Sequence, residues 1–344
     1  MNERIYIVGP CAAESREQVL ETAKAISDLR VDGVDFIFRA GAWKPRTSPN
    51  TFQGVGAEAL TWLQEVKATY QVPVATEVAT PEHVQLALQA GIDYLWIGAR
   101  TSANPLAIQA IADALMANGE RLMAKGVLIK NPVNADAALW LGNIERLEKT
   151  GVPVMAVHRG CNHQPCWRMA HTVRKARPDI PMLLDPSHMS GDASKVPALL
   201  SKIEELNLDG AMIEVHCHPE AALSDNAQQL TPKELRDTLG SIPCRNRVVT
   251  VFCPSDETNE LNWLRAEIDE LDETLWATIA ARMDVSKRIG EWKKEHGVAP
   301  LQPERYKEIV ERIQNTDRFA DRIQTDFALR LYNLIHEESL RQQS

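Results

Sequence analysis

One pattern constrains this chain more than any other. A short apolar run followed by a stretch of helical spacing recurs eight times within residues 1–243. The runs are RIYIVG (4–9), DFIFRA (35–40), PVATEV (73–78), DYLWIGA (93–99), GVLIKN (126–131), VPVMAVH (152–158), PMLLD (181–185) and GAMIEVH (210–216). Helical spacing fills the gaps, for example over 15–30 through Val19, Leu20, Ala23, Ile26 and Leu29, and again over 81–91, 104–118, 134–150 and 192–206. Continuous apolar runs read as strands buried on both faces, and a helix between successive strands makes each crossover parallel. Eight such units over about 240 residues predict an α/β fold, a (β/α)8 TIM barrel. A doubly wound open sheet is the runner-up, but no glycine-rich dinucleotide fingerprint follows any run.

Reactive residues gather at the C-terminal end of the runs, where such barrels build their sites. They are Cys11, Arg39 with Lys44, Glu77, Arg100, Lys130, His158 with Arg159, Asp185 with His188, and Glu214 with His216. The densest stretch is Phe38 to Gly56, in which Pro45 and Pro49 stiffen a loop bearing Arg39, Lys44, Arg46, Thr47 and Ser48. Guanidinium forks and hydroxyls suit phosphate oxygens. Six cations (Arg39, Lys44, Arg46, Arg100, Lys130 and Arg159) converging on one rim call for a ligand of several negative charges. Cys11, His188, Glu214 and Asp225 are one soft, one borderline and two hard ligands. That set suits a divalent transition metal such as Mn, Fe, Co or Zn. A second reading of the cysteines takes C-x-H-x-x-C at Cys161, His163 and Cys166 as a zinc site, with His216, Cys217 and His218 elsewhere, but a second clean pair is missing.

The 344 residues exceed one barrel and leave room for a smaller unit. A net charge of −9 argues against nucleic acid as a partner. No apolar run approaches the roughly 20 residues of a membrane span, and the N-terminus lacks the apolar core of a signal peptide. Six cysteines without an export signal are expected as reduced thiols in the cytoplasm.

The strings GPCAAES, KPRTSPNTFQG, IGAR (97–100), DPSH (185–188) and IEVHCHPEAALSD (213–225) resemble 3-deoxy-D-arabino-heptulosonate 7-phosphate (DAHP) synthase of the type I-beta branch. That resemblance implies condensation of phosphoenolpyruvate with erythrose 4-phosphate at the entry to aromatic amino acid biosynthesis. It implies that Cys11, His188, Glu214 and Asp225 hold the metal, and that Arg39, Lys44, Arg100, Lys130 and Arg159 hold phosphoenolpyruvate. Arg46, Thr47 and Ser48 would hold the sugar phosphate, with Lys130, His188 or a metal-bound water moving protons. Two positions depart from the family pattern: Ala40 replaces a usual glycine, and HRGCNHQP (158–165) replaces an ERG-containing stretch. The sister family, 3-deoxy-D-manno-octulosonate 8-phosphate synthase, carries an A-N-R-S-S string where this chain has Pro45-Arg46-Thr47-Ser48.

The pattern changes after residue 243. Residues 244–259 read as a linker, and 260–344 as a separate all-α helical domain. Apolar steps of three and four from Leu261 to about His296 predict one long helix, stopped by Gly297 and Pro300 and packed against another. Helices at about 303–315 and 320–341 follow. On the long helix Arg282 and Lys293 share a face, separated by about 20°, whereas Arg265 lies about 25 Å from Arg282 along the axis. One small ligand cannot span that distance, so an Arg265 contribution requires a second copy of the chain.

The tail resembles the all-helical class of chorismate mutase, through LRAEIDELDETLWATIAARM, IGEWK, PERYKEI and LIHEESLRQQ. This implies an intertwined homodimer that rearranges chorismate to prephenate without a cofactor. Arg265, Arg282 and Arg305 would bind carboxylates and the hydroxyl region, Lys293 and Gln343 the ether oxygen, and Ser339 a carboxylate. Tyr306 stands where a glutamate is common. The barrel pattern starts with the first residues, so feedback by prephenate or chorismate is expected through this tail. The alternative is a synthase with a non-catalytic dimerisation or sensor tail.

Overall fold

The structure, a computed structural model, describes residues 4–29, 36–46, 48, 50–118, 124–241, 256–315 and 322–343. Its strands are β1 (Ile5–Gly9), β2 (Phe36–Arg39), β3 (Val74–Val78), β4 (Tyr94–Ile97), β5 (Gly126–Lys130), β6 (Val154–His158), β7 (Met182–Leu184) and β8 (Gly210–Glu214). They pair in sequence order, all parallel, and β1 closes the barrel on β8. Each strand falls inside one of the eight apolar runs. Around them lie α1 (Arg16–Ser27), α2 (Glu58–Tyr70), α3 (Pro81–Gln89), α4 (Ala99–Ser102), α5 (Pro105–Ala117), α6 (Ala137–Glu148), α7 (Trp167–Ala176), α8 (Pro186–Ser190), α9 (Val196–Glu205) and α10 (Pro232–Ser241). Ser15, Thr80, Asn104 and Asp136 cap their helices through side-chain oxygens, and Pro81 and Pro105 take first-turn positions that need no N–H.

The strand register explains why the mouth is reactive. Ile7, Ile37, Ala75, Trp96, Leu128, Val157, Leu183 and Met212 pack together inside the barrel. Their neighbours, such as Val8, Phe38, Val74 and Ile129, pack outward beneath the helices. Side chains alternate along a strand, so the next inward position is two residues on. Those positions are Gly9, Arg39, Glu77, Gly98, Lys130, Arg159, Asp185 and Glu214. The apolar filling therefore ends and a charged layer begins within one step on six of eight strands. Gly9 is bare by necessity: its φ is +145°, and a Cβ there would stand 2.1 Å from the Arg39 carbonyl oxygen.

Packing divides the chain into 1–267 and 268–344. The division falls within α11 (Asp256–Glu295), beyond the boundary at 260 that the sequence pattern suggests. In the first unit, Trp263 is buried, stacked on His171 at 5.4 Å and edge-on to Trp167 at 6.1 Å. The His171 ring nitrogens meet Glu260 at 2.9 Å and Glu267 at 2.8 Å. These contacts hold the opening turns of α11 on α7. The linker expected at 244–259 lies mostly outside the described residues.

The second unit comprises the rest of α11 with α12 (Pro303–Gln314) and α13 (Thr325–Gln343). Gly290 lets α11 and α13 approach closely, since a Cβ there would stand 2.6 Å from the Gln343 Cα. Among the described residues no helix is long and apolar enough to cross a membrane.

Candidate functional site

The mouth of the barrel assembles the four expected metal ligands. Cys11 follows β1, Glu214 ends β8, His188 sits on α8 after β7, and Asp225 lies in the loop after β8. One ligand atom from each lies within 4.8 Å of the others. Cys11 Sγ is 3.0 Å from Asp225 Oδ2, and His188 Nε2 is 3.6 Å from Glu214 Oε1. Ligand atoms around a small tetrahedral ion are separated by roughly 3–4 Å, so this donor set fits one. Asp185 positions the imidazole: it caps α8 through the His188 N–H at 3.0 Å and meets His188 Nδ1 at 3.1 Å. A carboxylate behind one ring nitrogen presents the other to a metal. Burial holds His188 below its ordinary pKa, against the pull of Asp185 and Glu214, which favours the neutral ligand form. Burial and then Glu214 push the Cys11 thiol up, so binding a metal here means displacing a proton.

The cations at the mouth are buried and paired. Arg39 is fully buried, donates to Glu214 at 3.1 Å and lies 4.6 Å above the Trp96 ring. Its Nε and one terminal nitrogen have no hydrogen-bond partner among the described residues, which leaves donors for an anion. Lys44 Nζ donates to the Cys11 carbonyl at 3.3 Å and stands 3.7 Å from Glu77. Lys130 Nζ bonds Asp185 at 2.6 Å, and burial, with Arg39 adding to it, lowers its pKa. Burial alone would raise Asp185 and Glu214. His188 and Lys130 hold Asp185 well down, and His188, Arg39 and Lys44 outweigh burial at Glu214.

A cleft over this layer is lined by Lys44, Arg46, Arg100, Lys130, Arg159 and His188, among others. Arg159 is placed through its backbone N–H, which donates to Asn131 Oδ1 at 2.7 Å. Arg46 donates to Asp225 at 3.0 Å, an engagement with a candidate metal ligand that the sequence did not suggest. Ser48 is exposed and engages Thr51 and Gln53 through its carbonyl. Thr47 lies outside the described residues.

Sequence reasoning gave no part in this site to four contributors, although it placed Asp185 on the rim and read His163 into a zinc motif. Asp185 joins Lys130 to His188, and its signal was the DPSH string. Gln228 donates to Glu214 Oε2 at 2.7 Å and lines the cleft. Asn162 and His163 also line the cleft from a tight loop in which both have positive φ. Nothing local marks Gln228, which reaches Glu214 only through the turn after β8. The two ligand clusters found among the described residues include none of Cys161, His163 and Cys166.

In the second unit, Arg282 donates to the Ser339 hydroxyl and to the Ile335 carbonyl at 3.5 Å. Lys293, 8% exposed, donates to the Pro300 carbonyl at 2.6 Å and to Gln343 Oε1 at 2.9 Å. Among the described residues neither cation has an acidic partner. Burial first, and then the Arg282 and Lys293 charges, press His336 below its ordinary pKa. Arg305 is exposed and pairs with Glu308 on its own helix at 2.8 Å. Tyr306 donates to Asn333 at 2.8 Å and stacks among Tyr332 and His336. Arg265 is exposed on α11 in the first unit.

The barrel mouth has the form of a (β/α)8 enzyme site in which buried cations stand beside a candidate metal-ligating quartet. The chain belongs to the DAHP synthetase I family, which matches residues 1–242, and residues 264–344 match chorismate mutase type II. Two enzyme families are thus fused in one chain. A phospho-2-dehydro-3-deoxyheptonate aldolase of Thermotoga maritima is 30% identical over 256 residues, 68% of this chain and 70% of that one. A 2-dehydro-3-deoxyphosphooctonate aldolase of Desulfatibacillum aliphaticivorans is 29% identical over 261 residues, 68% of this chain and 89% of its own. The crystal structure of the Thermotoga maritima DAHP synthase superposes with a TM-score of 0.59 at 30% identity, covering 69% of this chain and 67% of that chain.

Proposed function

We propose that the barrel condenses phosphoenolpyruvate with erythrose 4-phosphate, giving DAHP and phosphate, and that the helical unit rearranges chorismate to prephenate. Both steps serve aromatic amino acid biosynthesis. The observation that carries the first reading is the quartet of Cys11, His188, Glu214 and Asp225 beside the buried Arg39 and Lys130.

A divalent Mn, Fe, Co or Zn ion held by that quartet would supply Lewis acidity to the aldehyde oxygen. Arg39, Lys44, Arg100, Lys130 and Arg159 bind the phosphate and carboxylate of phosphoenolpyruvate and turn its carbon 3 towards the aldehyde carbon. A carbon–carbon bond forms there, water adds at carbon 2, and phosphate departs by C–O cleavage. Lys130, whose pKa burial lowers, would give its proton to the aldehyde oxygen as that oxygen becomes a hydroxyl. His188 is a ligand in this reading, because Asp185 engages its other nitrogen. Arg46, Thr47 and Ser48 select the aldose phosphate. Cys11 must stay reduced to serve, which agrees with a cytoplasmic location.

The similarity to 2-dehydro-3-deoxyphosphooctonate aldolases supports a second reading, in which the aldose is a five-carbon arabinose phosphate. The Pro45-Arg46-Thr47-Ser48 loop favours the four-carbon aldose. Phosphate release from phosphoenolpyruvate, measured with each aldose phosphate and with a chelator, decides the matter. Release with erythrose 4-phosphate that the chelator abolishes is expected, whereas release with arabinose phosphate alone overturns the assignment.

In the helical unit, Arg282 and Ser339 take a carboxylate, Arg305 assists at the hydroxyl region, and Lys293 with Gln343 meets the ether oxygen. Holding the compact conformer and placing cations where negative charge grows are enough for a reaction without a covalent intermediate. Arg265 would serve the site of a second copy in a homodimer, given its distance from Arg282 along the helix. Prephenate or chorismate bound in this unit would lower the synthase rate, and unchanged synthase kinetics at saturating prephenate would remove that part of the reading.

A further inference from the structure

The turn that leaves β8 carries a second ligand cluster outside the barrel mouth. Cys217 and His218 sit in this turn, and Glu21 faces them from α1, which is adjacent because β1 pairs with β8. One ligand atom of each of the three lies within 4.8 Å of the others. His218 Nε2 is 3.3 Å from Glu21 Oε1, and its Nδ1 is 3.7 Å from Glu220 Oε1. The imidazole thus has a carboxylate behind one nitrogen and a ligand cluster before the other, the arrangement that orients metal-binding histidines.

The scaffold beneath is fixed. The Cys217 N–H donates to Thr22 Oγ1 at 3.3 Å, the His218 N–H to His216 Nδ1 at 2.9 Å, and the Leu223 N–H to Glu14 Oε1 at 2.8 Å. The backbone between β8 and Asp225 is therefore tied to the region of α1 at two points, through Thr22 and Glu14, and braced within itself by His216. The half-buried Cys217 thiol lies 3.9 Å from His216 Nδ1 and also within reach of the His218–Glu21 pair.

We propose that Glu21, Cys217 and His218 form a second metal site, distinct from the quartet in the mouth, for a thiophilic divalent ion of the zinc type. One thiolate, one imidazole and one carboxylate are the donors zinc takes, with water as the fourth, and they disfavour magnesium and calcium, which select oxygen. The site staples the turn to α1. Asp225, a candidate ligand of the inner quartet, stands at the far end of that turn with φ at 49°. This inference does not rest on which reaction the barrel performs.

The test counts metal. The full chain is stripped with chelator under reducing conditions, then equilibrated with zinc, and bound zinc is measured. The wild type is expected to bind two equivalents. Cys11→Ser and Cys217→Ser each bind one, His218→Ala behaves as Cys217→Ser, and the double cysteine variant binds none. Cobalt substituted into Cys11→Ser should show a thiolate charge-transfer band that the double variant lacks. His188→Ala provides an independent inner-site variant should Cys11→Ser fail to fold. One equivalent in the wild type, with Cys217→Ser unchanged and Cys11→Ser empty, overturns the proposal.

Discussion

The two candidate sites hold their cations by opposite means. At the barrel mouth Arg39, Lys44, Arg46 and Lys130 each meet a carboxylate, from Glu214, Glu77, Asp225 and Asp185. In the helical unit Arg282 and Lys293 meet a hydroxyl, two backbone carbonyls and an amide. The mouth is a balanced network that can take a metal and a polyanion by exchanging partners. The helical cations have only neutral partners among the described residues. Depth does not account for the difference, because Lys293 at 8% exposure is as buried as Lys44 at 7%. Neutral acceptors satisfy the donors of Arg282 and Lys293 without cancelling their charge.

The comparison breaks first on His188→Ala. Synthase activity is expected to fall by more than about 10³-fold through loss of a metal ligand, with chorismate turnover unchanged. Parallel assays of phosphate release and chorismate consumption check this, and a joint loss would show that the sites are not independent. Next, Arg282→Ala should reduce kcat/KM for chorismate by about 10²–10³-fold while leaving the synthase intact. Turnover equal to wild type would identify the tail as a dimerisation or sensor module.

Stability should follow the same division. Glu214→Gln strands the Arg39 guanidinium, which cannot deprotonate, and should cost the barrel about 3 kcal/mol in denaturant unfolding. Ser339→Ala removes one neutral acceptor from the helical unit and should cost about 1 kcal/mol. Equal losses would contradict the contrast between cations paired with carboxylates and cations held by neutral acceptors.

The smallest effect is with pH. Burial, helped by Arg159 and opposed by the Pro165 carbonyl, holds His158 down at about 4. The unfolded chain takes up that proton near pH 6.5, so stability is full above that value and lost towards pH 4. The barrel transition of the wild type should lose about 2 kcal/mol between pH 7 and pH 5. His158→Gln should flatten that slope, and an unchanged slope would assign it to another group.

Much of this was legible in advance. Every strand lies in an apolar run, because strands covered on both sides leave no polar position until the barrel filling ends. Counting two residues past that filling reaches Arg39, Lys130 and Glu214, since alternation is local geometry. Arg46 was read as a sugar-phosphate ligand, and spacing gave no sign that it also pairs with Asp225, 179 positions away. The docking of Trp263 on His171 was equally hidden: spacing along α11 shows an apolar face but not its partner.

By itself, the sequence determined the eight strand–helix units, the identity of the rim residues and the change to a helical tail, all set by short-range periodicity and residue chemistry. Only the tertiary structure decided the pairings. Closure of β1 on β8 brings Cys11 to Glu214 and Asp225, and sets Glu21 against Cys217 and His218. Barrel closure joins the chain's first strand to its last, and the spacing of residues along a chain carries no record of what meets across such a join.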